Sequence, residues 1–404
     1  MNVTVKPACA KGTVIAPPSK SMAHRLLIAA SLAEGESIVR GIEGSDDVNA
    51  TISCLRALGA KCRIDGDVAF VQGVCAKTAK PLSHLSTNES GSTLRFLIPV
   101  ALLSGNPALF EGAKSLFSRP LSVYETLCAE RGLTFSKGAS SLAVRGPLTS
   151  GDFRVKGNIS SQFISGLLFA LPLLSGDSTI TIVPPIESRS YIALTISALE
   201  AFGVHVTWKD ENTLFIKGGQ SYRATETTVE GDYSNAAFFA ALDALGGKVE
   251  IKGLSDSSLQ GDRAYEKYIP MLTRGTPTVH IGDCPDLGPI LLAVAAAKHG
   301  AVFTGTARLK IKESDRAEAM AEELRKFGTT VTVKEDSIVV YPADFHTPSD
   351  TLYGHNDHRI VMSLAVLLAL TGGEIAGAEA VRKSFPDFFE KLSALGVEIK
   401  KQED

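Results

Sequence analysis

The segment Arg308-Leu309-Lys310-Ile311-Lys312-Glu313-Ser314-Asp315-Arg316 marks a change of pattern in the sequence. Its first four residues alternate like a strand, and a helical pattern then continues to Phe327. Lys312 and Arg316 fall in the first turn of the predicted helix, where the helix dipole disfavours each positive charge by roughly 0.3–1 kcal/mol. A bound anion would reverse this penalty. A solvated helix start, in which the neighbouring acidic residues pair with both cations, explains the segment equally well.

The composition describes a large globular protein without an excess of either charge. Its 404 residues exceed one ordinary core, so two domains or one large repeated architecture are expected. A net charge of −3 gives no general attraction to nucleic acid or to acidic membranes. No run reaches the ~18–20 apolar residues of a membrane span, and the N-terminus has no apolar signal core. We therefore expect a cytoplasmic monomer without a nucleic-acid or membrane partner.

Six cysteines are scattered along the sequence without a C-x-x-C pair. Such spacing indicates reduced thiols rather than a disulfide framework. We expect all of them to be buried and inert: Cys9, Cys54, Cys62, Cys75, Cys128 and Cys284.

A repeated helix ending predicts the architecture. Glycine just past a helix is the usual left-handed cap, and a β-type run follows six such glycines: Gly59, Gly132, Gly203, Gly275, Gly328 and Gly396. Apart from one interval of 53 residues, neighbouring glycines of this set lie 68 to 73 residues apart. A second class of helix is apolar on nearly all sides and is therefore predicted to be buried, at residues 92–103, 162–174, 236–245 and 289–298.

These patterns predict an α/β (α+β) fold of six repeated units, each burying one helix, unless a common helix ending recurs by chance. Residues 18–229 would form an N-terminal domain. Residues 1–17 and 230–404 would form a C-terminal domain that includes the N-terminal strand. The polypeptide would cross between the two near residues 17–20 and 222–232, where the crossings form a hinge, with three repeats on each side.

Cations recur at the predicted starts of helices. Each instance alone is explained by helix capping or by a solvated helix start. Together they indicate a cationic site for two multiply charged small molecules, provided that the helix starts converge. The set consists of Lys20, Arg25, Arg119, Lys312, Arg316, Arg359 and Lys383.

Carboxylates and imidazoles suggest chemistry at two further places. Asp286 precedes a very apolar helix, where an aspartate serves either as an N-cap or as a general base. His355, Asp357 and His358 resemble metal ligands in spacing. Since no further cysteine or histidine cluster completes such a site, we expect no metal.

Eight segments resemble, in order and over essentially the whole chain, those of the EPSP synthase (3-phosphoshikimate 1-carboxyvinyltransferase) family. They are residues 18–21 with Arg25, 90–92, 119–120, 160–162, 286, 312–316, 356–359 and 383–386. The resemblance implies the two-domain enolpyruvyl transferase fold, with three βαβαββ-type repeats in each domain, closing on its substrates. It further implies transfer of the enolpyruvyl group of phosphoenolpyruvate to the 5-hydroxyl of shikimate 3-phosphate, in the shikimate pathway, without a metal or organic cofactor.

The resemblance also implies roles for individual residues. Shikimate 3-phosphate would be bound by Lys20, Ser21, Arg25, Ser160, Ser161, Gln162, Ser188, Asp286 and Lys312, with Tyr191 near the same pocket. Phosphoenolpyruvate would be bound by Lys20, Gly91, Arg119, Gln162, Arg316, Arg359 and Lys383. Asp286 would take the proton of the attacking hydroxyl. Glu313, helped by Lys20, would protonate the methylene carbon.

Two positions depart from the family pattern. Glu89 replaces a common asparagine, and Arg308 stands where some members carry an asparagine that touches the substrate. Gly91, without the methyl group of alanine, leaves room for the inhibitor glyphosate. One alternative is a UDP-N-acetylglucosamine enolpyruvyl transferase, but Lys20-Ser21 differs from its Lys-Asn, and Cys128 lies in a helical pattern rather than a loop. The other is a non-catalytic phosphosugar-binding protein.

Overall fold

A computed structural model describes residues 1–74 and 83–402. The chain divides into two compact units: the 18–230 unit (Pro18–Glu230) and the 231–404 unit (Gly231–Asp404 together with Met1–Pro17). None of the helices within the described ranges has the length and apolar character that crossing a membrane requires.

Thirteen α-helices occur within the described residues. The 18–230 unit contains α1 (Lys20–Leu32), α2 (Asp46–Leu58), α3 (Gly91–Ala101), α4 (Lys114–Ser118), α5 (Ser122–Glu130), α6 (Ser161–Ala170) and α7 (Arg189–Ala201). The 231–404 unit contains α8 (Tyr233–Ala244), α9 (Tyr265–Arg274), α10 (Gly288–Ala297), α11 (Arg316–Arg325), α12 (His358–Thr371) and α13 (Phe388–Ala394). Short 3-10 helices cover Leu171–Leu173, Gly261–Ala264, Pro285–Leu287, Ala307–Ile311 and Ala378–Lys383.

Three four-stranded sheets of the 18–230 unit share one pattern, a parallel pair followed by two antiparallel pairings. The first contains, in spatial order, Ser83–Asn88, Pro107–Gly112, Ser141–Arg145 and Thr134–Lys137. The second contains Asp152–Lys156, Ser178–Val183, Thr213–Ile216 and Val206–Trp208. The third contains Glu226–Thr228, Glu36–Arg40, Val68–Gln72 and Lys61–Asp65. A short parallel pair joins Tyr222–Arg223 to Ala33–Glu34.

The 231–404 unit repeats the same pattern. One sheet contains Thr278–His280, Ala301–Thr304, Ser337–Val340 and Val331–Val333, and another contains Leu352–Tyr353, Gly373–Ala376, Asn2–Val5 and Ile399–Gln402. The sixth repeat consists, within the described residues, of the parallel pair Lys248–Lys252 with Lys11–Ile15. The predicted α/β fold of six repeats is confirmed, with one repeat reduced to its parallel pair.

Glycines end the helices as predicted, and five of the six adopt the left-handed conformation. The φ angles of Gly59, Gly132, Gly203, Gly328 and Gly396 lie between 65° and 113°, in the left-handed region that glycine adopts without steric cost. Gly275 also follows its helix directly, but the left-handed conformation predicted for it is wrong, since its φ of 176° is ordinary extended backbone. There the polypeptide passes straight from α9 towards the strand Thr278–His280, so no left-handed residue is needed.

The helices predicted to be buried form the interior of each unit. In α10, every residue from Gly288 to Ala296 is buried, and the helix packs against α8, α9, α11 and α12. The corresponding helices are α1, α3 and α6 in one unit and α8, α10 and α12 in the other. Since such helices have no solvent-facing side, their polar residues must find partners inside the protein.

The segment 308–316 departs from its predicted structure. Residues Ala307–Ile311 form a 3-10 helix rather than a strand, and α11 begins only at Arg316. The Asp315 side chain accepts hydrogen bonds from the backbone N–H groups of Ala317 and Glu318, and these bonds fix the helix start. Lys312 therefore precedes the helix, and the dipole argument applies to Arg316 alone.

The cysteines follow the prediction only in part. Cys54, Cys128 and Cys284 are buried free thiols, whereas Cys62 is half-buried and Cys9 is exposed. Burial raises the pKa of the Cys54 thiol to about 12 and that of Cys128 to about 11, so both are protonated near neutral pH. The prediction of burial is wrong for Cys9, and Cys75 lies outside the described residues.

Candidate active site

Arg316 is the centre of a cluster of charges in the 231–404 unit. Its side chain is 1% exposed and contacts three carboxylates. Nε donates to Asp357 Oδ2 at 2.8 Å, Nη1 to Asp286 Oδ1 at 2.8 Å and Nη2 to Glu313 Oε2 at 2.7 Å. Burial lowers the pKa of Arg316, but the three carboxylates outweigh burial and raise it above its ordinary value. Most N–H groups of the Arg316 guanidinium therefore donate hydrogen bonds to carboxylates of the protein.

Asp286 lies between two cations. Its Oδ1 accepts hydrogen bonds from Lys312 Nζ at 2.9 Å and from Arg316 Nη1 at 2.8 Å. Burial alone would raise the pKa of Asp286, but Lys312, Arg316 and Arg359 together hold it well below its usual range. Asp286 is therefore a firmly ionised carboxylate.

The pKa of Lys312 is lowered, whereas that of Arg316 is raised. Burial lowers its pKa, Asp286 raises it, and the nearby Arg308 and Arg316 lower it further, so that the net change is a decrease. Arg308 is itself buried in the 3-10 helix that precedes Lys312. A cation crowded by two guanidinium groups is well placed to receive an anion.

Helix starts bring these groups together. The 3-10 helix Pro285–Leu287 holds Asp286 directly before α10. Asp357 caps α12 by accepting from the Arg359 N–H at 2.9 Å, and it also accepts from Ser314 Oγ at 3.1 Å. One carboxylate thus joins the starts of α11 and α12. The sequence interpretation considered Asp357 as a possible metal ligand and as part of segment 356–359, but not as a helix cap, although an aspartate directly before an apolar helix is the usual signal of an N-cap.

Arg359 is a buried cation whose side chain donates a hydrogen bond to a neutral amide. Its side chain is 4% exposed, Nη1 donates to Asn235 Oδ1 at 3.2 Å, and the guanidinium lies 5.7 Å from the centre of the Phe238 ring. Among the described residues, no carboxylate forms an ion pair with it. Asp286 acts on this charge without a direct ion pair, so an anionic ligand in contact with Arg359 would stabilise it further. The asparagine partner lies 124 residues away in sequence and was not predicted.

Lys383 is positioned by a loop with unusual backbone angles. Its Nζ donates to the carbonyl oxygen of Asn356 at 2.6 Å. Asn356 and His355 have φ angles of 52° and 50°, in the left-handed region that non-glycine residues rarely adopt. Such local strain is often found at functional sites. His355 Nε2 lies 3.0 Å from Glu323 Oε1, which anchors the loop to α11.

The three residues whose spacing suggested metal ligands do not act as one group here. Asp357 is engaged by Arg316, while His355 contacts Glu323. Glu322, Glu323 and His355 lie close enough to one another to hold a cation. However, Lys326 Nζ is already 2.9 Å from the Glu323 carboxylate, so a metal ion would have to displace an ammonium group.

Arg25 is the principal buried cation of the 18–230 unit. It is 2% exposed and donates to Thr195 Oγ1 at 2.9 Å, to the Ser21 carbonyl at 2.6 Å and to the Tyr191 carbonyl at 3.1 Å. The rings of Phe96 and Tyr191 lie 5.0 and 5.8 Å from its guanidinium. Burial lowers the pKa of Arg25 to about 10. These partners are neutral, so an anion here would regain stabilisation that burial removes.

A second group in this unit surrounds the start of α3. A methyl group added to Gly91 would lie 3.2 Å from Arg119 Nη1 and 3.7 Å from Gln162 Oε1. The structure thus brings together three residues that the sequence interpretation had named separately. Arg95 joins them by donating to Gln162 Oε1 at 2.7 Å. Its position one helical turn after Gly91 could have indicated this role.

Hydroxyl groups line the starts of α6 and α7. Ser160 caps α6 by accepting from the Gln162 N–H at 3.3 Å, and Ser161 is the first residue of the helix. Ser188 precedes α7 in the left-handed conformation, with φ 55° and ψ 43°, and its side chain is fully buried. A strained and buried serine of this kind points to a functional position.

Lys20 begins α1 and is paired with a carboxylate. Its Nζ donates to Asp47 Oδ2 at 2.8 Å, and the two side chains are 15% and 12% exposed. Asp47 lies in the first turn of α2, so the pair ties the starts of α1 and α2 together. The sequence interpretation included Lys20 but not Asp47, since a first-turn aspartate is a common helix-start residue.

The chain matches known proteins over nearly its whole length. The family model described as EPSP synthase (3-phosphoshikimate 1-carboxyvinyltransferase) matches residues 5–392. Curated relatives named 3-phosphoshikimate 1-carboxyvinyltransferase include those of Clostridium kluyveri and Clostridium perfringens strain 13. Each is 39% identical over 98% of this chain and 98% of its own length.

Solved structures agree in fold. An EPSP synthase from Acinetobacter baumannii is similar with a TM-score of 0.81 and 22% sequence identity, covering 100% of both chains. The enolpyruvyl transferase NikO from Streptomyces tendae is similar with a TM-score of 0.77 and 15% identity, covering 99% of this chain and 98% of its own.

The position of Asp286 between Lys312 and Arg316 predicts a pH-dependent contribution to stability. Because the folded-state pKa is depressed, the contribution is present above the unfolded-state pKa of about 3.9 and is lost as the pH falls through the lower folded-state value. We expect Asp286→Asn to lower the free energy of unfolding by about 1–3 kcal/mol at pH 7. The difference from wild type should persist at pH 5 and shrink only below pH 4.

Denaturant unfolding at several pH values measures this difference. Asp283→Asn, which changes an exposed carboxylate three residues earlier, is the matched control and should have little effect. Equal stability of Asp286→Asn and wild type at pH 7 would contradict the proposed balance of charges.

Proposed function

The chain belongs to the EPSP synthase family, and from this premise we propose how its residues share the work of the reaction. The enzyme transfers the enolpyruvyl group of phosphoenolpyruvate to the 5-hydroxyl of shikimate 3-phosphate. Addition followed by elimination gives 5-enolpyruvylshikimate 3-phosphate and inorganic phosphate. The match of the family model to residues 5–392 carries this conclusion over the two alternatives.

We propose that Arg25 and neighbouring hydroxyl groups bind shikimate 3-phosphate. The neutral partners of Arg25 and its pKa of about 10 support this, because a phosphate group would supply the missing counter-charge. Ser21, Ser160, Ser161 and Ser188 would complete the contacts within the 18–230 unit. Further ligands of this substrate would be Lys20, Gln162, Asp286 and Lys312.

Phosphoenolpyruvate would be bound mainly by cations. Arg359 supports this assignment most directly, because it is buried and has a neutral amide as its hydrogen-bond partner. Arg316 and Lys383 would act with it in the 231–404 unit, whereas Lys20, Gly91, Arg119 and Gln162 belong to the 18–230 unit.

We further propose that residues 1–17 with 230–404 and residues 18–229 are the two domains of the enzyme, which acts as a cytoplasmic monomer.

Asp286 would act as the general base, but its pKa makes it a weak one when no substrate is bound. Lys312 and Arg316 hold the carboxylate ionised. Substrate anions that bind these two cations would draw their charge away from Asp286 and raise its pKa. Asp286 would thus become a stronger base only when both substrates are bound, so that it removes the proton in the complex that reacts.

Glu313 would deliver a proton to the methylene carbon of phosphoenolpyruvate, with Lys20 assisting. Glu313 Oε2 lies 2.7 Å from Arg316 Nη2, so Glu313, the proposed acid, and Asp286, the proposed base, contact the same guanidinium. When phosphoenolpyruvate binds Arg316, both carboxylates would respond to one change of charge. This coupling explains how a single ligand could prepare the two proton-transfer groups together.

Phosphate release by the purified chain tests the reaction. We expect release from phosphoenolpyruvate when shikimate 3-phosphate is the acceptor and none when UDP-N-acetylglucosamine is the acceptor. The second acceptor is the control for the alternative enolpyruvyl transferase. Phosphate release with UDP-N-acetylglucosamine only, or no release with either acceptor, would contradict the assignment.

Removal of the proposed base should slow turnover. Asp286→Ala is expected to lower kcat by about 10² or more, the usual worth of a positioned general base. Asp283→Ala, at an exposed position of the same loop, serves as control and should remain within twofold of wild type. Steady-state phosphate release measures both variants. A kcat for Asp286→Ala within about tenfold of wild type would contradict the role.

The space beside Gly91 predicts sensitivity to glyphosate. In Gly91→Ala the added methyl group would lie 3.2 Å from Arg119 Nη1, closer than ordinary van der Waals contact, so the guanidinium must shift. We expect wild type to be inhibited by glyphosate and the variant to show a higher KM for phosphoenolpyruvate and weaker inhibition.

Gly105→Ala is the control for this variant, since its added methyl group has no described neighbour closer than 4.0 Å. Inhibition assays on the three proteins at fixed shikimate 3-phosphate give the comparison. Wild-type activity that is insensitive to millimolar glyphosate would contradict the prediction.

A further inference from the structure

A row of buried polar side chains connects three helices of the 18–230 unit. His24 Nδ1 lies 2.7 Å from Thr51 Oγ1, Thr51 Oγ1 lies 2.7 Å from Thr93 Oγ1, and Thr93 Oγ1 lies 2.7 Å from Ser90 Oγ. All four side chains are fully buried. His24 belongs to α1, Thr51 to α2 and Thr93 to α3, while Ser90 caps α3. We call these four residues the buried hydroxyl network.

The hydrogen bonds of the network run in one direction. Thr93 Oγ1 donates to Ser90 Oγ, so it accepts from the Thr51 hydroxyl, which in turn accepts from the N–H at His24 Nδ1. Burial, together with Lys20, lowers the pKa of His24 well below its usual value, so the imidazole is neutral. Its Nε2 has no hydrogen-bond partner in the described part of the chain. Protonation there would bury a donor without an acceptor, which is costly.

The network ends at the start of α3, beside Gly91. Ser90 Oγ also accepts the backbone N–H of Thr93 at 3.3 Å and so caps the helix. Asp47 adds a second connection. Its carbonyl oxygen lies 3.4 Å from Thr93 Oγ1, while its carboxylate accepts from Lys20 Nζ at 2.8 Å. The same few side chains therefore fix the start of α3 and the ammonium group of Lys20.

Helix α3 has little need of a polar contact for stability alone. Its other buried residues are mostly apolar, including Leu94, Phe96, Leu97 and Ile98. Valine has nearly the shape of threonine and would pack at position 93 without the need for a hydrogen-bond partner. A hydroxyl buried here is favourable only if it is satisfied in a defined geometry, so it specifies that geometry more than it adds packing.

We propose that the buried hydroxyl network positions the phosphoenolpyruvate-binding groups by holding the start of α3, with Gly91, in register with Lys20. This inference rests on the proposed assignment of Lys20 and Gly91 to phosphoenolpyruvate. An ammonium group and the first turn of a helix bind one small anion together only when their separation is fixed, and a misplacement of about 1 Å costs up to 10²-fold. The members of the network act through Gly91 and Lys20 and are positioning residues.

Thr93→Val tests the proposal, with Thr93→Ser as the conservative variant that keeps the hydroxyl. We expect Thr93→Val to raise the KM for phosphoenolpyruvate roughly three- to tenfold, as for the loss of one hydrogen bond. The KM for shikimate 3-phosphate should stay within about twofold of wild type, because Lys20 is one of nine proposed ligands of that substrate and Gly91 is not among them. Thr93→Ser should leave both constants within about twofold of wild type.

Ser31→Ala is the matched control. It removes a buried hydroxyl of the same unit that donates to the Ile28 carbonyl at 2.7 Å and has no member of the network as a partner in this bond. Both KM values should be unchanged. Thr51→Val interrupts the network at its centre and should reproduce the effect of Thr93→Val. This second variant keeps the proposal testable if Thr93→Val does not fold, and thermal unfolding of each variant reports folding.

The outcomes separate this inference from the proposed reaction. A rise in KM confined to phosphoenolpyruvate in the valine variants, but absent in Thr93→Ser and Ser31→Ala, supports the positioning role. Unchanged KM values in folded valine variants, or an equal rise for both substrates, would overturn it and leave the network a structural contact. Absence of phosphate release by the wild-type enzyme would instead overturn the proposed function.

Discussion

The neutralisation of one buried guanidinium governs the arrangement of the 231–404 unit. Arg316 is 1% exposed, and three carboxylates from separate segments converge on it. A charge at this depth is tolerated only with partners in good geometry, so the segments that carry those partners cannot move independently. The starts of α10, α11 and α12 therefore form one electrostatic assembly. Within it, each ionised group sets the charge balance of its neighbours.

In the 18–230 unit, buried arginines donate hydrogen bonds to neutral groups. Arg25 is held by a hydroxyl and two backbone carbonyls, and Arg95 by the Gln162 amide and the Pro120 carbonyl. Neutral partners satisfy the donors of an arginine but leave its charge available to a ligand. Arg316 is thus paired with carboxylates, whereas the hydrogen-bond partners of Arg25 are neutral. The proposed base is one of these carboxylates, and an arriving anion changes its strength.

The sequence predicted what depends on local pattern and missed what depends on distant pairing. Glycine caps and apolar helices recur at short range, so the repeats and the buried helices were accessible. The alternation at 307–311 was misleading, because a 3-10 helix before a capped helix shows no distinct period. The partners of the site cations lie far away in sequence: Asp357 is 41 residues from Arg316, and Thr195 is 170 residues from Arg25. No local rule relates such positions.

The pairing of the N-terminal strand has a consequence for biosynthesis. Asn2–Val5 lies between Gly373–Ala376 and Ile399–Gln402, two strands that are synthesised much later than Asn2–Val5. The 18–230 unit can fold during translation, but both edges of Asn2–Val5 stay unpaired until Gly373–Ala376 and Ile399–Gln402 have been made. Unpaired strand edges are prone to intermolecular association. Asn2–Val5 is therefore secured long after its own synthesis, when its two partner strands have been made.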